Sequence, residues 1–293
     1  EVVISLTAQR DWVRLCRQAV KLAHERLGFE RAGIWFKNEN PDIVCGTFAI
    51  DNHGQLQDER SLRLNISGDA QLQEALHAAA PVTFCCNRKL RGKDGEIVGE
   101  GPNAIATLWN GHEAIGYISV DSLLTERSIP LVQQRVLTLL AATIANLLTG
   151  LNTEQERQRL ASAIEQASEA VVITNANGAV EYVNQGLTKM LEFEADHVLG
   201  RDISLFYNHQ NETESMANML KAMKDGQTWR KRMVACRKDG ESIDVEVHFS
   251  PVRNDGERIT HFVHILRDLS KESQLEAQLR QAAKMEAIGR LAG

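Results

Sequence analysis

The chain has 293 residues, a length for about two domains, each large enough to bury its own core. Hydrophobic residues make up 43% and charged residues 25%, the balance of a soluble globular chain. A net charge of -6 leaves no basic surplus to displace counterions from phosphates, which excludes nucleic acid as a main partner.

No charged-then-apolar signal segment opens the chain, and a start at Glu1 rather than Met reads as an internal piece of a longer protein. The longest apolar stretch, Val136 to Leu148, is broken by Thr138, Thr143 and Asn146 and is short for a bilayer span. Five cysteines, none in a CxxC pair, fit a reduced cytoplasmic setting better than a disulfide framework.

Helical spacing at Trp12, Leu15, Cys16, Ala19 and Leu22 predicts a first helix over Thr7–Leu27, closed by Gly28. Strands follow at Arg31–Lys37, Ile43–Ile50 and Arg60–Ile66, then a short helix at Asp69–Ala79 and a strand at Val82–Cys85. Asn87–Pro102 reads as a Gly-rich loop, a mobile flap over a pocket. Asn110-Gly111 joins Ala104–Leu108 to Ala114–Val120 as a hairpin whose two central residues take positive φ. A long helix starts near Pro130 and runs on through the charged text 151–166, with Gly150 a weak point inside it at which a kink is possible. The order describes an α+β domain built on one antiparallel sheet.

In the second half, Asn177-Gly178, Asp239-Gly240 and Asp255-Gly256 mark three further hairpins. They join Ala170–Asn175 to Val180–Val183, Trp229–Arg237 to Ser242–Val252, and that strand to Arg258–Arg267. Helical text lies between the second and third strands. Alternation puts Ile243, Val245, Val247 and Phe249 on one face, and Phe262, His264 and Leu266 on one face of the last strand. The chain closes on a helix-forming run, Lys271–Gly293, with an apolar stripe at Leu275, Leu279, Ala282, Met285, Ile288 and Ala292.

Three stretches resemble known families. The segment 111–148, "GHEAIGYISVDSLLTERSIPLVQQRVLTLLAATIANLL", looks like the final strand and exit helix of bacterial GAF modules, so residues 1–150 are expected to form a GAF domain. The pieces "AIEQASEAVVITNANGAVEYVNQGLTKML", "VLGRDIS", "KDGESIDVEVHFSPV" and "ILRDLS" resemble a PAS domain over about 157–270, entered through a helical linker at 151–166. That resemblance gives Asp268 the role of tying the sheet to the outgoing helix. The closing "KMEAIGRLAG" resembles the lead-in to the dimerisation and phosphoacceptor helix of two-component sensor histidine kinases, which implies a phosphorylated His just beyond Gly293.

The implied whole is a two-domain α+β sensory region, GAF then PAS, each an antiparallel sheet with flanking helices. The resemblance further implies a cytoplasmic parallel homodimer that passes signals to a kinase core and its response regulator. A different catalytic output, such as a nucleotide cyclase, and a ligand-free dimerising relay are the alternatives. No catalytic residue is expected within these 293, because no Ser-His-Asp, Cys-His or paired-carboxylate pattern stands out.

Residue by residue, the expected chemistry is modest. Metal sites are not expected: His261 and His264 point to opposite faces of a strand, and the adjacent pair Cys85-Cys86 reads as buried or half-buried thiols, with a vicinal-dithiol redox sensor as the alternative. Asn87–Pro102 lacks GxxxxGK[ST] and runs into a hairpin, so it is no phosphate cradle. The cyclic-nucleotide signature of GAF domains and a bilin-linking Cys-His pair are both missing. Ile203 stands where light-sensing PAS domains carry the cysteine that attacks flavin, which excludes photoadduct chemistry though not a non-covalent flavin. The cofactor is therefore left unassigned. Candidate pocket residues are Tyr182, Asn184, Trp229, Phe249, Phe262 and His264. His264 is the one to hydrogen-bond a ligand or ligate haem, and core packing is the competing role for the aromatic residues.

Overall fold

Asp11 decides where the first long helix begins. In the computed structural model, which describes residues 2–92, 96–207, 213–270 and 272, Asp11 sits in extended backbone and its side chain accepts from Arg14 N. This cap separates α1 (Val2–Thr7) from α2 (Trp12–Glu25), where the apolar spacing alone suggested a single helix from Thr7. Gly28 closes the segment at φ 74°, a left-handed conformation that only glycine adopts freely.

The chain divides into two compact units, residues 1–157 and 158–293. The first holds β1 (Arg31–Lys37), β2 (Ile43–Ile50), β3 (Leu56–Asp58), β4 (Arg63–Asn65), α3 (Ala70–His77), β5 (Thr83–Arg91), β6 (Ile97–Trp109) and β7 (Ala114–Asp121). These strands form one antiparallel sheet in the order β3-β2-β1-β7-β6-β5, with β4 beside β2. The helix α4 (Leu131–Glu165) leaves it.

Two predicted elements are corrected. The expected strand Arg60–Ile66 is shortened to Arg63–Asn65, because the chain turns just before it: Leu62 N donates to Glu59 O, and the Arg60 backbone and side chain donate to the Asp58 carboxylate. The expected Asn87–Pro102 flap is a ladder, running from Thr83↔Ala106 to Arg91↔Ile97 across β5 and β6. Its glycines hide the two-residue period. A Cβ at Gly99 would come within 2.6 Å of the tip of the Leu123 side chain, which would have to shift.

The hairpin turns also differ in type. At 110–113 only Gly111 has positive φ, at 103°, and the Asn110 side chain accepts from His112 N and Glu113 N, making a longer Asx-type turn. At Asp255-Gly256 the left-handed residue is Glu257 rather than the glycine.

The two faces of the first sheet differ. One packs on α2 and α4 in a core that includes Leu15, Ala19, Ile34, Ile118, Leu137 and Ile144. The other meets α3 through Val44, Ile66, Leu72, Leu76, Ile105 and Tyr117. By length and composition α4 could cross a membrane, with a mean hydropathy of 1.5 over an 18-residue window, contrary to the sequence expectation. Six of its residues between Leu137 and Leu148 are buried in the first unit. The helix runs unbroken through Gly150 into residues 151–165, so the charged linker is helical and no helix break occurs there.

The second unit contains β8 (Ala170–Asn175), β9 (Val180–Val183), α5 (Gln185–Leu191), α6 (Ala195–Val198), a 3-10 turn at Ile203–Phe206, α7 (Thr213–Lys224), β10 (Trp229–Cys236), β11 (Ser242–Arg253) and β12 (Ile259–Asp268). Its antiparallel order is β10-β11-β12-β8-β9. The face carrying Ile243, Val245, Val247, Phe249, Phe262, His264 and Leu266 is buried, as the alternation required. Asp268 Oδ1 accepts from Ser270 N at 2.7 Å, at the end of the sheet. The expected closing helix with its stripe from Leu275 to Ala292 lies outside the described residues.

Two glycines test this packing. A Cβ at Gly116 would overlap the Trp35 carbonyl, whereas Gly150 has nothing within 4 Å of its added Cβ. Gly116→Ala should cost about 1–3 kcal/mol through overpacking. Gly150→Ala should stabilise the chain by up to about 1 kcal/mol. Urea denaturation of both variants checks the two signs together.

Candidate functional site

Two places concentrate buried polar chemistry. The first is the core of the second unit. Phe249 packs edge-on to Phe262 at 5.8 Å between centroids, stacks on half-buried Trp229 at 5.8 Å, and lies 5.3 Å from the His264 ring. Cross-strand pairing of His264 with Phe249 on β11 and Val172 on β8 fixes the imidazole in this layer. His264 Nε2 lies 3.2 Å from Thr174 Oγ1, while Nδ1 is buried without a partner. Burial disfavours the imidazolium and pushes the His264 pKa down to about 4. Tyr207, which the sequence did not single out, adds a second buried and unpartnered polar atom, its hydroxyl, to the same core.

Four of the six sequence candidates therefore meet: Trp229, Phe249, Phe262 and His264. The other two do structural work. Asn184 caps α5 through its Oδ1, which accepts from Leu187 N and from Val171 N. Its Nδ2 donates to the carbonyls of Ile164 and Glu169, so all four of its hydrogen-bonding positions are used. Tyr182 is half-buried, and its hydroxyl donates to Glu165 Oε2 at 2.5 Å. Burial, and then the Glu165 carboxylate, raise the Tyr182 pKa to about 12.

The second place is a cavity of about 780 Å³ in the first unit. The ladder builds it in rows. Asn103, Asp121 and Arg31 are direct cross-strand neighbours on β6, β7 and β1, and Trp35 pairs with Tyr117 further along. Gly33 and Ser119 form the small-residue row between them. The β5–β6 hairpin adds Arg88 and Leu90 to the wall.

Charge inside this cavity is unevenly matched. Arg31 and Asp121 form an ion pair at 3.1 Å, both largely buried. The Arg31 fork also donates to the Arg91 carbonyl, but its Nε has no partner. Asn103 gives its Nδ2 to Ser119 Oγ and Val120 O, leaving Oδ1 unpartnered. Glu59 is 7% exposed, and burial pushes its pKa up to about 7 against the pull of Arg31. Arg88 is held by Asp69. Sequence reasoning missed this set. The available signal was a charged residue at each edge of an apolar strand, Arg31 opening β1 and Asp121 ending β7.

Among the described residues, no three His, Cys, Asp or Glu side chains gather as a metal site. His261 faces outward to Glu181 at 3.1 Å, on the opposite side of β12 from His264. Cys85 is exposed rather than buried and Cys86 half-buried. As consecutive residues of β5 they point to opposite faces. Burial raises both thiol pKa values, which lowers their reactivity at neutral pH.

Residues 168–271 match the family model of the PAS domain. The second unit is a PAS sensory domain. Among curated relatives, the nitrogen fixation regulatory protein of Klebsiella oxytoca is 27% identical over 142 residues, 48% of this chain and 29% of the relative. Sensor protein kinase WalK of Staphylococcus haemolyticus is 25% identical over 130 residues, 44% of this chain and 20% of the relative. The chain thus spans less than a third of the length of these relatives. The solved PAS domain of an HTR-like protein from Haloarcula marismortui is 26% identical, covering 40% of this chain and 94% of that one, with a TM-score of 0.35.

The PAS core should respond to acid through His264. Its folded-state pKa lies below the ordinary value of 6.5, so the unfolded chain binds more protons between about pH 6.5 and 4. Stability is therefore fully present above that window and falls by up to about 3 kcal/mol as the pH drops through it. NMR titration of the imidazole should place its midpoint near the lower end. His264→Gln should flatten this part of the pH–stability profile. A midpoint near 6.5 would contradict the burial argument.

Proposed function

We propose that this chain is the sensory and relay region of a cytoplasmic sensor histidine kinase, with a GAF domain over residues 1–150 ahead of the PAS domain. The observation that carries the reading is the closing sequence "KMEAIGRLAG", which has the wording of the approach to a phosphoacceptor helix. The PAS match and the relatives named as sensor kinases support it. The first unit's helix-flanked antiparallel sheet, with its exit helix after the last strand, supports the GAF reading.

In this mechanism a signal at either unit shifts the population between two arrangements of the connecting helices. A ligand acts only through its different affinity for the two. The change passes along Leu275–Ala292 to a kinase core, where a His is phosphorylated and then serves a response regulator. The functional form is a parallel homodimer. On α4, Leu139 and Leu160 are exposed by 69% and 57% and are available to a second copy. Leu147 and Leu151, on the same helix, pack against the first unit's core.

The alternative output has a specific basis in a relative named cyclic di-GMP phosphodiesterase PdeB of Shewanella oneidensis, 26% identical over 166 residues and 17% covered. Extending the chain through its natural downstream sequence separates the two. The extended protein should acquire acid-labile phosphate from ATP, while residues 1–293 alone should not. Leu279→Glu should shift the 293-residue chain toward monomer in sedimentation at tens of micromolar, with both units still folded. An extension that carries a different catalytic core, or a dimer indifferent to Leu279→Glu, would overturn the corresponding half of the proposal.

A further inference from the structure

The helix α4 has two faces, and the protomer buries only one of them. Leu137, Leu140, Ala141, Ile144, Ala145 and Leu148 lie in the first unit's core. Each residue turns an α-helix by about 100°, which sets Val132, Leu139, Asn146 and Gly150 on the side opposite that buried face. Val132 and Leu139 are 72% and 69% exposed, and Asn146 and Gly150 are exposed beside them.

This outer side carries a repeat. Steps of four and three residues lead from Val132 through Val136, Leu139, Thr143, Asn146 and Gly150, then on through Thr153, Arg157, Leu160 and Ile164. The apolar residues at the two ends keep one phase of a seven-residue period across the polar middle. That period belongs to a helix paired with another helix, since it holds one seam toward the partner as the two supercoil. Leu160 and Ile164 are 57% and 41% exposed, so both ends of the seam lack cover. Large apolar side chains aligned in this way on a soluble chain mark an interaction surface.

The middle of the seam narrows the occupant. Lipid would have to take Asn146, Thr153 and Arg157 out of water unanswered, whereas a second helix can answer them. Asn146 selects which helix. Its amide has both donor and acceptor and has no partner among the described residues; a second Asn in the same layer supplies both. Two parallel copies of α4 in register set Asn146 against its own counterpart and Leu139 against its own. Antiparallel copies centred on the seam would set Asn146 against Gly150, which has no side chain to answer it, and Leu139 against Arg157. Gly150 leaves room for close approach, with nothing within 4 Å of an added Cβ. Arg157 keeps Glu154 as its partner on its own helix at 2.8 Å, so its charge is not stranded.

We infer that α4 pairs in register with the α4 of a second copy along the seam opposite its buried face, and that Asn146 fixes the register by bonding to its counterpart. The inference rests on the homodimer half of the proposed function and not on the kinase output. Val132, Leu139, Leu160 and Ile164 supply the association, and Asn146 trades some of it for alignment.

Cysteine cross-linking of the 293-residue chain tests this, in a Cys85→Ser background that removes the exposed native thiol. A parallel pair in register brings the two sulfurs of Asn146→Cys within disulfide reach, and most of the chain should become a covalent dimer on mild oxidation. Asn152→Cys and Gln155→Cys, exposed on other sides of the same helix, should stay near the level of the background chain. Asn146 is exposed in the protomer, so its replacement leaves both units folded. A background chain that sediments as a monomer at tens of micromolar would overturn this inference and the homodimer together. A dimer in which Asn146→Cys cross-links no better than Asn152→Cys or Gln155→Cys would overturn the inference alone and leave the homodimer to another surface. Cross-linking confined to mixtures of Asn146→Cys with Gly150→Cys chains would show antiparallel pairing and would overturn it equally.

Discussion

One side-chain amide holds the PAS domain to the helix that leads into it. Asn184 receives hydrogen bonds from the first residues of β8 and α5 and donates to carbonyls at Ile164, on the last turn of α4, and at Glu169, just before the sheet. Asn184 itself is 1% exposed, so its amide depends on these partners rather than on water. Four segments meet at one residue; Leu187 N and Ile164 O have second backbone partners in Asn184 O and Ala167 N, so losing the amide would fall hardest on Val171 N and the Glu169 carbonyl. Glycine at position 186 follows from the same junction, since a Cβ there would run into the Glu169 carbonyl. Tyr182, reaching Glu165, is a second tie to the same turn. The entry of the chain into the sheet is thereby specified by polar geometry, while the rest of the domain is held by apolar packing around Phe249 and Phe262.

The first unit manages buried polarity differently. Its sheet covers α2 and α4 with one apolar face and gives the other a row of polar residues, Asn103, Asp121 and Arg31. The register places them side by side, and Gly33 and Ser119 beside them keep the surface low enough for a cavity. The two units therefore differ in kind. In the PAS domain the orphaned groups, His264 Nδ1 and the Tyr207 hydroxyl, lie in a packed core, whereas in the first unit they belong to two residues, Arg31 and Asn103, that border a cavity.

Much of the second unit was legible in the sequence, because its strands alternate cleanly and each hairpin carries a glycine near the turn. β8 and β9 fall where the alternation placed them, and the face shared by Phe262 and His264 follows from period two. The first unit was less legible where glycine and charge interrupt the pattern, as in the β5–β6 ladder. Its cavity was not legible at all, because Arg31, Glu59, Asn103 and Asp121 lie far apart in the chain and only the strand order β1-β7-β6 brings three of them together. Asn184 was noticed for the wrong reason: a buried Asn beside a strand reads equally as a pocket donor or as a cap, and only its four partners decide.

The central claim, that Asn184 couples the incoming helix to the PAS sheet, is tested most directly by hydrogen exchange on Asn184→Ala. Backbone amides of residues 160–175 and of the start of α5 should lose protection, while those of β10 and β11, away from the junction, keep theirs. Unchanged protection across 160–175 in a folded Asn184→Ala protein would contradict the account.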